Sequence, residues 1–117
     1  MSDLLYKTHT LRFRAVNRDI FQAIRGGKKK VETRAATVKY RGIKAGDAVV
    51  FVCGKDKFQK QVKRATMFKT VGAMLKKYTV RDINLKCATT KELRDLYFSF
   101  PGYKEKIEKF GLIALEI

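Results

Sequence analysis

The stretch Gly26 to Arg34, GGKKKVETR, sets two glycines before three lysines and then places a carboxylate, a hydroxyl and an arginine within three residues. A chain reversal needs one glycine and a polar residue or two, so turn chemistry accounts only for its first half. In the second half Val31 and Thr33 alternate with Lys30, Glu32 and Arg34. Side chains of a strand leave alternately to opposite faces, so this spacing puts the three charged residues on one face. A face carrying both signs of charge requires a partner, whether a neighbouring strand, water or a ligand.

Working back from this stretch, Ile20, Ala23 and Ile24 fall at i, i+3 and i+4 of a short helix that Asn17 is placed to cap and Gly26 or Gly27 to end. Before it, TLRFRAV alternates Leu11, Phe13 and Ala15 against Arg12 and Arg14, the period of a strand with one buried and one basic face. Working forward, RGIKAGD reads as a turn in which Asp47 hydrogen-bonds its own backbone after Gly46. The run Ala48 to Cys53 is apolar on both faces and so belongs to a central strand. GKDK then reverses the chain.

From Phe58 to Phe68 the apolar parity passes from Phe58 and Val62 to Ala65 and Met67, which predicts one long strand bulged near Arg64. Three helical patterns come next: Thr70 capping Val71, Met74, Leu75 and Tyr78; Thr89 and Glu92 as a capping box before Leu93, Leu96 and Tyr97; and Tyr103, Ile107 and Phe110. A last strand, LIALEI, begins after Gly111. The order strand, helix, strands, helices, strand predicts an α+β domain: a small mixed β-barrel of about five to six strands, with short helices flanking a cleft.

The 117 residues, 45% of them hydrophobic, suffice for one domain over 1–117 with a single core. No apolar run approaches the roughly 20 residues of a membrane span, and MSDLLYKTHT lacks the apolar segment of a secretory signal. These features predict a soluble cytoplasmic protein that does not engage membranes. Cys53 and Cys87 read as isolated buried thiols. With a lone histidine, His9, to which no role is assigned, the chain lacks the nitrogen and sulfur ligands of a zinc site, and no metal or cofactor is expected. Lysine and arginine number 27 against 11 acidic residues, a formal charge of +16, so the expected partners are polyanions.

The helix FQAIRGGKK leading into VETR, the GIKAGD turn before an apolar strand, and the ending FPGYKEKIEKFGLIALEI occur together in an order that resembles the ASCH domain, of the PUA-like superfamily. The resemblance runs from about Leu11 to Ile117. It implies a curled β-barrel with a cleft between barrel and helices, proposed in the family to bind RNA or a nucleotide. It also implies two hydrolase activities known among members, removal of the acetyl group from acetylcytidine nucleosides by a lysine, a threonine and a glutamate, and RNA cleavage. Carried over singly, the lysine falls on Lys29, the threonine on Glu32, a carboxylate instead, and the glutamate nearest Asp82. An arginine of the pattern falls on Arg34.

The site expected on these grounds has Lys29, Glu32 and Arg34 as its floor, with Lys28 and Lys30 solvated or general phosphate contacts, since three neighbouring lysines cannot all face one cleft. Arginine offers a planar fork for phosphate or a base edge, and glutamate can orient that fork or accept from a base amino group. Close to Arg34, Lys29 loses its proton more readily and suits a nucleophile or base; paired with Glu32 it stays charged and becomes an anchor. Arg12, Arg14, Lys60, Lys63 and Arg64 are expected on neighbouring strands as a basic face for RNA phosphates. Among Tyr40, Tyr97, Phe98, Phe100 and Tyr103, the helix-start Tyr103 is expected at the cleft rim as a stacking surface, and Tyr97 in the core.

Overall fold

The computed structural model describes residues 6–117; the segment 1–5, on which the absence of a leader was partly read, lies outside the described residues. Six strands form two three-stranded sheets. In the first sheet, β1 (Thr8–Phe13) runs parallel to β3 (Ala48–Cys53), and β3 pairs antiparallel with β4 (Asp56–Gln61). The apolar β3 is thus the central strand, as its two-faced pattern predicts. In the second sheet β6 (Leu112–Glu116) lies between β2 (Val31–Ala35) and β5 (Arg64–Phe68), antiparallel to both.

β6 divides the interior. Its Ile113 and Leu115 join Leu11, Phe21, Val49 and Phe51 in a first core, against the first sheet and helix α1 (Arg18–Arg25). Its Leu112 and Ala114 join Met74, Ile83, Leu93, Tyr97 and Ile107 in a second core under the helices α2 (Val71–Met74), α3 (Val80–Ile83), α4 (Thr90–Ser99) and α5 (Tyr103–Phe110). A strand apolar on both faces is what a sheet sandwiched between two layers requires. Its start depends on Gly111, whose φ of 77° lies in the left-handed region and whose N–H closes the last turn of α5 on Ile107.

Three expectations are corrected here. The sheets are hydrogen-bonded separately among the described residues, so the strands do not close into a barrel. The predicted long strand is two strands in different sheets: the parity change near Arg64 is a transfer at Val62 and Lys63, where Val62 still donates to Asp47 and Lys63 already donates to Glu116 of β6. A bulge and a sheet change leave the same local pattern. Lastly, Asn17 ends a 3-10 turn (Ala15–Asn17) and makes no side-chain cap to α1, whose first turn carries Asp19 instead.

The caps downstream agree more closely with the sequence. Thr70 accepts the Ala73 N–H and Thr89 accepts the Glu92 N–H, while the Glu92 carboxylate accepts from the Thr89 hydroxyl. The reciprocal capping box lies at Thr79 and Asp82, at the start of the unanticipated α3.

Candidate functional site

β2 is an edge strand, yet nearly all of it is buried, because α3 and α5 pack along it. A cavity of about 340 Å³ opens there. One wall is the end of β1 with the start of α1, the other is formed by α4, α5 and the residues after α3, and Lys29, Glu32, Thr33 and Arg34 form the floor. Its size lies at the lower end of small-molecule sites, which span roughly 300–1,000 Å³.

On the floor the charged residues form a chain of contacts. Lys29 is 3% exposed. Its Nζ donates to the carbonyl oxygen of Val31 and, at 2.6 Å, to that of Ile83, and lies 3.3 Å from Glu32 Oε1. Three acceptors match the three N–H bonds of an ammonium. Burial is the largest influence on Lys29 and lowers its pKa; the Glu32 carboxylate opposes this and Arg34 adds to it, leaving the pKa below the ordinary lysine value.

Glu32 Oε2 accepts from Arg34 Nη2 at 3.3 Å, so the carboxylate is held between the two cations. Arg34 also donates to the Arg12 carbonyl at 3.4 Å, and its guanidinium lies 5.0 Å from the ring centre of Phe13 and 5.7 Å from that of Tyr40. Burial works against the Arg34 charge, but Glu32, with Tyr40 and Tyr103, outweighs it and raises the pKa, so the guanidinium stays ionised.

The edge of β2 supplies backbone groups as well. In an antiparallel pair alternate residues turn their N–H and C=O away from the partner strand. Residues of β2 that face outward include Val31, whose carbonyl accepts from Lys29, and Ala35, whose N–H donates to the Tyr103 hydroxyl at 3.0 Å. Thr33 lies between them in the same alternation, so its N–H and C=O face the cavity. The Thr33 hydroxyl pairs with the Tyr97 hydroxyl. Tyr97 and Tyr103 stack nearly parallel at 6.1 Å, with Phe100 edge-on to Tyr103. Burial pushes both tyrosine pKa values up, so both hydroxyls stay neutral.

Lys29, Glu32 and Arg34 line the cavity together with Tyr103, and so do Arg12 and Arg14, which the sequence reading placed on a basic face beside the cleft. Tyr97 lines the same cavity in addition to packing in the second core. Other expectations are corrected. Asp82 does not line the cavity: it is exposed, and its carboxylate accepts the Thr79 N–H at 2.9 Å as half of the capping box. Lys28 and Lys30 are exposed to either side of buried Lys29 and do not line it, in keeping with the expectation that three neighbouring lysines cannot all face one cleft.

The basic face is divided as well. β1 and β4 are the two edges of the first sheet, separated by β3, so Arg12 and Arg14 are not beside Lys60. Lys63 and Arg64 sit where the chain changes sheets, with Arg64 3.9 Å from Glu116, and neither lines the cavity. Sequence reasoning missed Asn84 and Lys86, which line the wall beyond α3. The T-x-x-D spacing of Thr79 and Asp82 was the signal available, since it fixes the start of α3 and hence where the chain leaves that helix towards Asn84 and Lys86.

Among the described residues no group of histidine, cysteine and carboxylate side chains could hold a metal, and no helix is long and apolar enough to cross a membrane. The chain matches no protein-family model and none of the curated proteins. Its fold is similar to the crystal structure of hypothetical protein PH0355, with a TM-score of 0.78 and 27% identity over 94% of this chain and 95% of that one. It is also similar to the solution structure of protein PF0455 from Pyrococcus furiosus, with a TM-score of 0.72 and 27% identity over 93% of this chain and 94% of that one. The chain is a small α+β domain of the same fold as these two proteins.

Proposed function

We propose that the chain is an ASCH-type, PUA-like domain that binds RNA or a nucleotide by admitting one base to the cavity along β2. The observation that carries this reading is the polar set at the strand edge: the Glu32 and Arg34 pair and the Thr33 N–H and C=O, fixed in position and surrounded by aromatic rings. A nucleobase has a flat apolar body with donors and acceptors only on its edge, and this distribution complements it. Glu32 would accept from an exocyclic amino group, Arg34 would donate to ring nitrogen or carbonyl oxygen, and Lys29 would hold Glu32 in place. The formal charge of +16 would favour association with any polyanion.

The test is titration of short single-stranded RNAs and of nucleotides with the wild type and Arg34→Ala, across a salt series. A steep fall of affinity with salt, and loss of base preference in the variant, are the expected results. Binding that barely responds to salt, or a variant with unchanged base preference, would refute the reading.

One observation favours a second reading, deacylation of an acetylcytidine-type nucleoside: Lys29 lies 3.3 Å from the Glu32 carboxylate and burial lowers its pKa, the arrangement of a proton-transferring pair. In that chemistry water attacks the acetyl carbonyl, Lys29 and Glu32 pass a proton to the leaving amine, and acetate departs. Incubation with acetylcytidine separates the readings. Turnover by the wild type that Lys29→Ala loses by several powers of ten supports hydrolysis, and absence of turnover removes it.

A further inference from the structure

The two walls of the cavity are joined near the rim by an ion pair between Lys86, which lines the wall beyond α3, and Asp19 in the first turn of α1. Both side chains are more than half exposed, and Asp19 itself does not line the cavity. Arg12 and Arg14 line the opposite wall and are exposed too, so three cations lie at the rim while Glu32 is the acidic residue lining the interior. Arg18, next to Asp19, is directed elsewhere by its ion pair with Asp56.

We infer that Lys86, Arg12 and Arg14 form a subsite for the phosphate of a nucleoside phosphate whose base occupies the cavity, and that the Asp19 carboxylate is an internal occupant which the phosphate displaces. The inference rests on the base-binding reading for its orientation and adds the ligand's second end. A carboxylate on an exposed lysine is a weak partner. A phosphate offers more acceptor oxygens and a larger charge, and it meets the arginines on the other wall at the same time. Displacement would release the bridge between α1 and the α3 wall and replace it with a bridge through the ligand.

The experiment compares three probes by calorimetry: the four ribonucleosides, their 5′-monophosphates, and ribose 5-phosphate. The proteins are wild type, Asp19→Asn, Lys86→Ala and Arg34→Ala, of which the first two substitutions are at exposed positions that leave both cores intact. The wild type should bind a monophosphate about tenfold more tightly than its nucleoside. Asp19→Asn should widen that ratio several-fold through the monophosphate alone, and Lys86→Ala should reduce it towards one. Equal affinity for nucleoside and monophosphate in the wild type, or Asp19→Asn acting alike on both, would overturn the subsite. If ribose 5-phosphate binds as tightly as the nucleotides, responds to Asp19→Asn and ignores Arg34→Ala, the phosphate subsite stands and the base-binding reading fails.

Discussion

Two lysine and carboxylate pairs occur at the same i, i+3 spacing in this chain, and they differ in every physical respect that matters. In Lys44 and Asp47 the carboxylate is fully buried and the lysine half exposed; in Lys29 and Glu32 the lysine is the more deeply buried partner and the carboxylate lines a cavity. Asp47 Oδ1 accepts from the Lys7 N–H and the Lys44 ammonium, and Oδ2 from the Lys44 N–H and, at 2.7 Å, from His9. Its acceptor capacity is filled by the segments it ties together: the start of β1, the turn and β3. Glu32 accepts from two side chains, fewer partners than a carboxylate can take, and lines the cavity. A saturated buried carboxylate is a clamp, whereas a partly used one held rigidly beside a cavity is equipped to meet a ligand.

The largest effect is expected at the Asp47 clamp. Asp47→Ala should destabilise the fold by about 3–5 kcal/mol, since it leaves His9 and two backbone N–H groups without their acceptor, and chemical denaturation would read this. Lys29→Met comes next, at about 2–4 kcal/mol, because it uncovers the buried Val31 and Ile83 carbonyls while Glu32 keeps Arg34. Arg34→Lys keeps the charge and loses the planar fork; base-selective affinity should fall by about 1–2 kcal/mol with little change in unfolding. Lys44→Met should be the mildest, at about 0.2–1 kcal/mol, because the exposed half of an ion pair contributes little.

The clamp also sets a pH dependence. Burial alone would raise the Asp47 pKa, but the hydrogen bonds from His9, from the Lys7 and Lys44 backbone and from the Lys44 side chain outweigh it and hold the carboxyl well below its ordinary value. A depressed folded-state pKa contributes stability that is complete above the unfolded value of about 3.9 and is lost as pH falls below it. Unfolding free energies measured between neutral and acid pH should therefore decline on the acid side, and the decline should be shallower in Asp47→Asn.

Sequence patterns carried the local elements and the floor of the site. The alternation in β1 and β2, the two-faced apolar run of β3, the turn at Gly26 and Gly27 and the terminal strand all have signals within a few residues, and the middle lysine of three did prove to face the cavity. The failures were non-local. Whether a parity change at Arg64 means a bulge or a change of sheet depends on β6, nearly fifty residues away. Asp82 is a local exception: it fell nearest the glutamate of the ASCH pattern, while the T-x-x-D spacing that makes it the capping partner of Thr79 precedes a helix too short to show a periodic stripe. His9 carried no local signal either; the parallel pairing of β1 with β3 brings its strand alongside the segment just after Asp47.

On this reading the Glu32 pair serves a ligand while the Asp47 pair serves the fold. The decisive experiment measures nucleotide affinity and unfolding free energy side by side for Glu32→Gln and Asp47→Asn. Glu32→Gln should lose about tenfold or more in affinity, beyond anything its stability explains. Asp47→Asn should lose stability while its folded fraction binds as the wild type does. Unchanged affinity in Glu32→Gln, or an equal loss of affinity in both, would contradict it.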